Sequence, residues 1–126
     1  MITIEMKPII NEVEIPGYGK FEVSPLGAGA EAEIMVAFRE LKEAREKAKE
    51  FDYLIDKEQK NELDKESQEY KDALEAYKNV TELADRVRSL TLEKLRAVIK
   101  GDNVEKLFQD FTYEQLNEIH DKATKK

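Results

Sequence analysis

Cysteine and tryptophan are both missing from this 126-residue chain, and histidine occurs once. Without thiols there is no disulfide staple, no thiolate nucleophile and no cysteine-type zinc site. The lone His120 follows Ile119 near the chain end and has no second His or Cys with which to share a metal. It therefore reads as a surface residue. Glycine (5) and proline (3) are scarce, which leaves few interruptions to regular structure. No apolar run approaches the roughly 18 residues of a membrane span. The opening Met1-Ile2-Thr3-Ile4-Glu5 has neither the basic nor the apolar region of a secretory signal. These absences exclude most enzyme chemistry, and neither a cofactor nor a metal is expected.

What the chain has instead is charge. Asp, Glu, Lys and Arg make up 39% of it, and apolar residues 40%. The first figure is well above the usual quarter, which with so few breakers favours long solvated helices. Acidic residues outnumber basic ones by 28 to 21, leaving a net charge of −7. That sign opposes phosphate-backbone binding, which needs clustered Lys and Arg. Neither a nucleic acid nor a membrane is expected as a partner.

All three prolines, and every glycine except Gly101, lie in residues 8 to 29. There Val13 and Ile15 alternate with Glu12 and Glu14, and Phe21 and Val23 with Lys20, Glu22 and Ser24. A period of two marks half-buried strands. Pro16-Gly17-Tyr18-Gly19 lies between them, and Gly17 can take the positive φ of a type II turn. A β-hairpin is expected, and its apolar face must cover something, since two strands alone are marginal in water.

From Ala28 the period changes. Ile34, Leu41, Ala48 and Ile55 recur every seven residues, with Ala37, Ala44 and Phe51 three places on, and Phe38 widens the stripe. The opposite face offers Arg39–Glu43, Lys42–Glu46 and Glu43–Lys47 pairs at i,i+4. Residues 56 to 62 carry no apolar side chain. A second stripe follows at Leu63, Tyr70, Tyr77 and Ala84, with Ala73, Val80 and Val87 three places on. Residues 29 to 54 and 63 to 88 would each span about 39 Å as helices. Two matched amphipathic helices around a polar break favour an antiparallel αα-hairpin. The rival is one uninterrupted helix, since Asn61 is the only weak breaker in the break. Leu92, Leu95, Val98 and Ile99 finish the helical stretch, which Gly101 can cap in the left-handed conformation. Asp102 or Asn103 then starts a short turn, and Thr112-Tyr113-Glu114-Gln115 fits a capping box for a last helix ending in Lys125-Lys126. The fold class is thus mainly α, with a short N-terminal β-hairpin, a long antiparallel helical hairpin and short C-terminal helices. A single domain of residues 1–126 is expected: hairpin and connecting loop over 1–27, long helices over 28–100, short helices over 101–126.

Gly27-Ala28-Gly29-Ala30-Glu31-Ala32 formally matches the dinucleotide fingerprint G-x-G-x-x-A. Glu31 and Glu33 would however meet a pyrophosphate with carboxylates, and no returning parallel strand follows. Small residues that let the hairpin fold back on the helix are the simpler reading. The Asn79-Val80-Thr81 sequon lies inside a helical stripe and is set aside. Acidic residues fall on the polar sides of their helices, so no acid–base pair stands out. Leu107, Phe108, Phe111 and Tyr113 crowd one short segment. Burial beneath the helical hairpin is the plainer reading of that cluster, and a partner-binding surface the sharper one.

Residues 18 to 33, Tyr18-Gly19-Lys20-Phe21-Glu22-Val23-Ser24-Pro25-Leu26-Gly27-Ala28-Gly29-Ala30-Glu31-Ala32-Glu33, resemble the tail assembly chaperones of long-tailed phages and prophages of Gram-positive bacteria. Gly101-Asp102-Asn103 and Tyr113-Glu114-Gln115-Leu116 fall where that family has a late break and a short terminal helix. The resemblance implies a non-enzymatic protein that coats the tape-measure protein and helps recruit tail-tube subunits. It implies residence in the host cytoplasm and absence from the finished virion. No residue-level binding motif comes with it. It also implies a longer product made by ribosomal slippage near the end of the frame, for which an adenine run encoding Lys125-Lys126 would serve. Weak self-association along the client is expected. Two other classes fit the composition: a structural coiled-coil oligomerisation module, and an acidic DNA mimic, which the Lys and Arg interleaved through residues 39 to 78 disfavour.

Overall fold

The computed structural model describes residues 1–6 and 9–125; Pro8 and the second of the two terminal lysines lie outside the described residues. In chain order the elements are β1 (Asn11–Ile15), β2 (Gly19–Val23), α1 (Ala28–Lys49), α2 (Tyr53–Gln59), α3 (Gln68–Val98), β3 (Ile99–Lys100), α4 (Val104–Asp110) and α5 (Tyr113–Thr124). The protein is mainly α, with an N-terminal antiparallel hairpin, a long helix α3 and short C-terminal helices. The chain divides into two compact units: Met1–Glu31 with Leu90–Lys126, and Ala32–Ser89.

In the first unit, Gly17 has φ +87° and the Tyr18 amide donates to the Ile15 carbonyl at 2.9 Å. That is the turn expected of Pro16-Gly17, with a positive φ at its third residue. It sets β1 against β2 with Val13 opposite Phe21 and Asn11 opposite Val23. Phe21, Val23, Leu95, Ile99, Leu107 and Leu116 are all at 1% exposure or below and form the core. Burying each contributes about 1.5–3 kcal/mol.

Two details of this unit differ from the sequence expectations. Ile99 and Lys100 leave the helix and pair antiparallel with β2, Val23 opposite Ile99, giving the sheet order β1-β2-β3. The helix ends because Ile99 completes the apolar face of the sheet. The Ser24 amide donates to the Val98 carbonyl at 2.9 Å just beyond the pairing. Gly101 is not a left-handed cap, since the positive-φ glycines are Gly17 and Gly19. A Cβ there would stand 2.6 Å from Phe21 Cδ1 and 2.8 Å from the Lys20 carbonyl oxygen. Close approach of β2, and not backbone conformation, requires a glycine.

In the second unit, α1 and the portion of α3 up to Ser89 run antiparallel. Glu40 meets Arg86 at 3.5 Å, while beyond the α1 end Tyr53 donates to Glu69 at 2.9 Å. The seam buries Ala37, Leu41, Ala44 and Ala48 of α1 with Ala73 and Val87 of α3, as the seven-residue repeats require. The polar break of residues 56 to 62 is helical in α2 as far as Gln59, and the chain turns only after it. The Asn61 amide donates to Glu58 and the Glu62 amide to Lys57 at 2.8 Å, with Asn61 at φ +59°. Those paired bonds around one left-handed residue are a Schellman motif, so the weak breaker does end a helix.

The repeat fails at Ile55 and Phe38, which are 49% and 46% exposed. After α1, the amides of Glu50, Phe51, Asp52, Leu54 and Ile55 all donate to carbonyls three residues back. Such 3₁₀ turns advance about 120° per residue and not about 100°, so five of them shift the phase by roughly one residue. Leu54 therefore takes the buried place expected of Ile55. The i,i+4 pairs Arg39–Glu43, Lys42–Glu46 and Glu43–Lys47 are likewise not formed; among the described residues, none closes to ion-pair distance.

Candidate partner surface

The four residues singled out by sequence do not form an open surface. Leu107 is at 0% exposure in the centre of the first unit, with its position on α4 facing the sheet core. It cannot meet a partner without unfolding, which corrects that expectation. Phe108, Phe111 and Tyr113 are half-buried. The Phe108 ring packs against the core and lies 5.2 Å beneath the Arg96 guanidinium, which also reaches Glu105 at 2.6 Å. Phe111 stands edge-on to Tyr18 with ring centres 5.0 Å apart. The hairpin turn, distant in sequence, brings Tyr18 to cover Phe111.

Several polar contacts hold that turn in place. Tyr18 donates to Asp110 at 2.9 Å, and the Asn103 amide group donates to the Tyr18 carbonyl at 2.6 Å. The Lys106 ammonium lies 5.5 Å from the Tyr18 ring centre. The hydrogen bond to the Asp110 carboxylate raises the Tyr18 phenol above its ordinary range, with smaller contributions from desolvation and from the carboxylate's charge. Tyr53 is raised in the same way by Glu69, and Tyr77 chiefly by burial with help from the Asp52 charge.

His120 is not a surface residue. It is 6% exposed, and its Nε2 lies 3.0 Å from the Ser24 carbonyl oxygen. The apolar period of α5 carries Leu116 and His120, four apart, onto one buried face. A solitary histidine beside Ile119 gave no sign of this, because the carbonyl that receives it comes from the far end of the sequence.

Among the described residues no cluster of three or more His, Cys, Asp or Glu is arranged to hold a metal ion. An open groove of about 510 Å³ on the helical unit is lined by Phe51 and Ala76 together with charged and polar residues such as Asp72, Glu75, Lys78 and Glu82. Nothing packs against Gly27 or Gly29 within 4 Å of where a Cβ would stand, and the sheet is antiparallel throughout. Neither feature belongs to a dinucleotide site, whose glycines admit a close-packed backbone within a parallel βαβ unit.

The surface that sequence reasoning missed is apolar and lies elsewhere. Residues 34–38 read Ile-Met-Val-Ala-Phe, so α1 is apolar on every side there. Only Ala37 is fully buried, while Met35, Val36 and Phe38 are 63%, 47% and 46% exposed. Tyr53, Ile55 and Leu74 are also exposed, as are Ile2, Ile4 and Met6 ahead of β1. The five-residue apolar run was the available signal, since a helix apolar all round ordinarily has neighbours all round. No helix of the described residues is long and apolar enough to cross a membrane. Comparison with protein-family models, with curated proteins and with solved structures finds no match to this chain.

Proposed function

We propose that the protein is a tail assembly chaperone of a long-tailed phage or prophage, working by binding and without a chemical step. Its client is the elongated, helical tape-measure protein, which it keeps in solution in the host cytoplasm while tail-tube subunits assemble. The observation that supports this best is the set of large apolar side chains left uncovered at separate places on the helical unit, Met35, Val36, Phe38, Tyr53, Ile55 and Leu74. Dispersed apolar surface of this kind suits a long repetitive client better than a compact ligand, which takes one concave pocket. The net charge of −7 keeps such a surface from aggregating. The resemblance of residues 18 to 33 supplies the family.

Co-expression with the tape-measure candidate encoded beside it is the test, read as soluble client. The chaperone should raise that amount, and Ile55→Ser with Leu74→Ser should lower it while helix content is unchanged. If the unaltered protein leaves the client insoluble, the reading is wrong. The gene offers a separate check, since the family's longer product needs a slippery heptamer near the Lys125-Lys126 codons and an overlapping frame.

A further inference from the structure

Helix α1 carries two seams, and the chain itself uses one. The inner seam is Ala37, Leu41, Ala44 and Ala48. On another side of the same helix stand Glu31, Met35, Phe38 and Lys42, at steps of four, three and four, the spacing of a coiled-coil seam. All four are exposed, Met35 at 63% and Phe38 at 46%. Among the described residues neither Glu31 nor Lys42 has an ion-pair partner within the chain.

The order along this outer seam is acid, apolar, apolar, base. Read backwards it is base, apolar, apolar, acid, so the seam is complementary to itself only when a second copy runs antiparallel. In antiparallel coiled coils the facing layers join a first-type position on one helix to a fourth-type position on the other. That geometry sets Met35 against Phe38 of the second copy, and Glu31 against Lys42 of the second copy, around a two-fold axis between Val36 and Ala37. Each Met35–Phe38 layer places a thioether on an aromatic ring, a favourable contact. A parallel pair would set Glu31 on Glu31 and Lys42 on Lys42, which repel.

We propose that this protein self-associates through antiparallel pairing of α1 with α1 of a second copy, along Glu31, Met35, Phe38 and Lys42. The closed two-fold limits the contact to two copies. Two apolar layers make a small seam, so the association is weak and its ionic part is screened by salt. The seam shares Met35 and Phe38 with the surface proposed for the client, but its test needs no client.

Charge reversal tests it in a way that general stickiness cannot imitate. Glu31→Lys and Lys42→Glu should each weaken self-association by about tenfold or more, because each puts like charges together twice across the two-fold. Mixed one to one, the two variants should associate as hetero-pairs, since their seams are then complementary. The double variant should associate like the unaltered chain. Sedimentation equilibrium over a concentration series gives the masses, and circular dichroism shows that α1 is retained. The chain has no cysteine, which allows an independent probe. Chains with Met35→Cys and Phe38→Cys should cross-link to each other under mild oxidation faster than chains carrying the same substitutions at Val36 and Glu43. A monomer at every concentration, charge reversal without effect, or cross-linking with no preference for the 35–38 pair would each overturn the proposal. None of those results bears on client solubility.

Discussion

Gly101 and His120 each join distant parts of the chain through one short approach. The 2.6 Å that would separate an added Cβ from Phe21 leaves no room for a methyl group, and the Lys20 carbonyl behind it is backbone. Gly101→Ala should therefore destabilise the protein by about 1–3 kcal/mol, the usual effect of forcing volume into a packed site. Thermal or urea unfolding measures it. Phe21→Ala leaves a cavity in the same place and should cost about 3–5 kcal/mol. An unchanged melting temperature would mean that the β2 face is not buried. Tyr18 and Tyr53 add a pH dependence. Their carboxylate hydrogen bonds raise the folded-state phenols above the ordinary 10.0, so the stabilisation is complete below that value. It is lost as the pH rises through the folded values. Replacing both by Phe should narrow the stability difference from the parent between pH 9 and 11, beginning at about 10 where unfolded phenols ionise. A difference that stays constant across that range would show that neither hydrogen bond persists in solution.

Among the elements, α5 gives the sharpest test of a local signal. The Thr112 hydroxyl accepts from the Gln115 amide at 3.2 Å, and the Gln115 side chain accepts from the Thr112 amide at 2.9 Å. Thr112→Ala removes one half of this box and should cost about 1 kcal/mol, seen as a lower melting temperature with Leu116 protection reduced. That box was legible because all of its parts lie within four residues. The Pro16-Gly17 turn was legible for the same reason, and most of the two stripes because a seven-residue period repeats along the chain, whereas Asn61 read only as a weak breaker. β3 was not, because a two-residue strand has no period and exists only through its pairing with Glu22 and Val23. The exchange of Leu54 for Ile55 was hidden too, since the 3₁₀ turns that cause it replace one good helix former by another without punctuation. The partner surface suffered most: aromatic content pointed to Phe108 and Phe111, while Tyr18, which covers Phe111, lies at the far end of the sequence.

Taken whole, the chain distributes its apolar volume unevenly between its two units, and this sets where it should open. Phe21, Val23, Leu95, Ile99, Leu107 and Leu116, the largest fully buried side chains, all belong to the first unit. The second unit buries Ala37, Ala44, Ala48 and Ala73, with Leu41, Leu54 and Val87 as its larger members. An alanine methyl contributes about 0.8 kcal/mol on burial, against about 1.5–3 kcal/mol for a leucine or phenylalanine. The helical unit is therefore the thinner of the two, and the exposed turn around Asn61 is held chiefly by its own backbone bonds. Native-state hydrogen exchange should find the amides of residues 41–48 and 73–80 opening at lower free energy than those of Val23, Leu95 and Leu107. Limited proteolysis should cut first between residues 60 and 67, leaving the first unit's amides protected. If the second unit opens only in global unfolding, with free energies equal to those of the first, then the alanine seam is worth more than its area. A client or a second copy on the exposed helix face would then be unnecessary for its stability. If it opens early, adding protein should slow exchange at residues 32–42 through the α1 pairing while leaving the core of the first unit unchanged, because mass action stabilises only the segment that is bound.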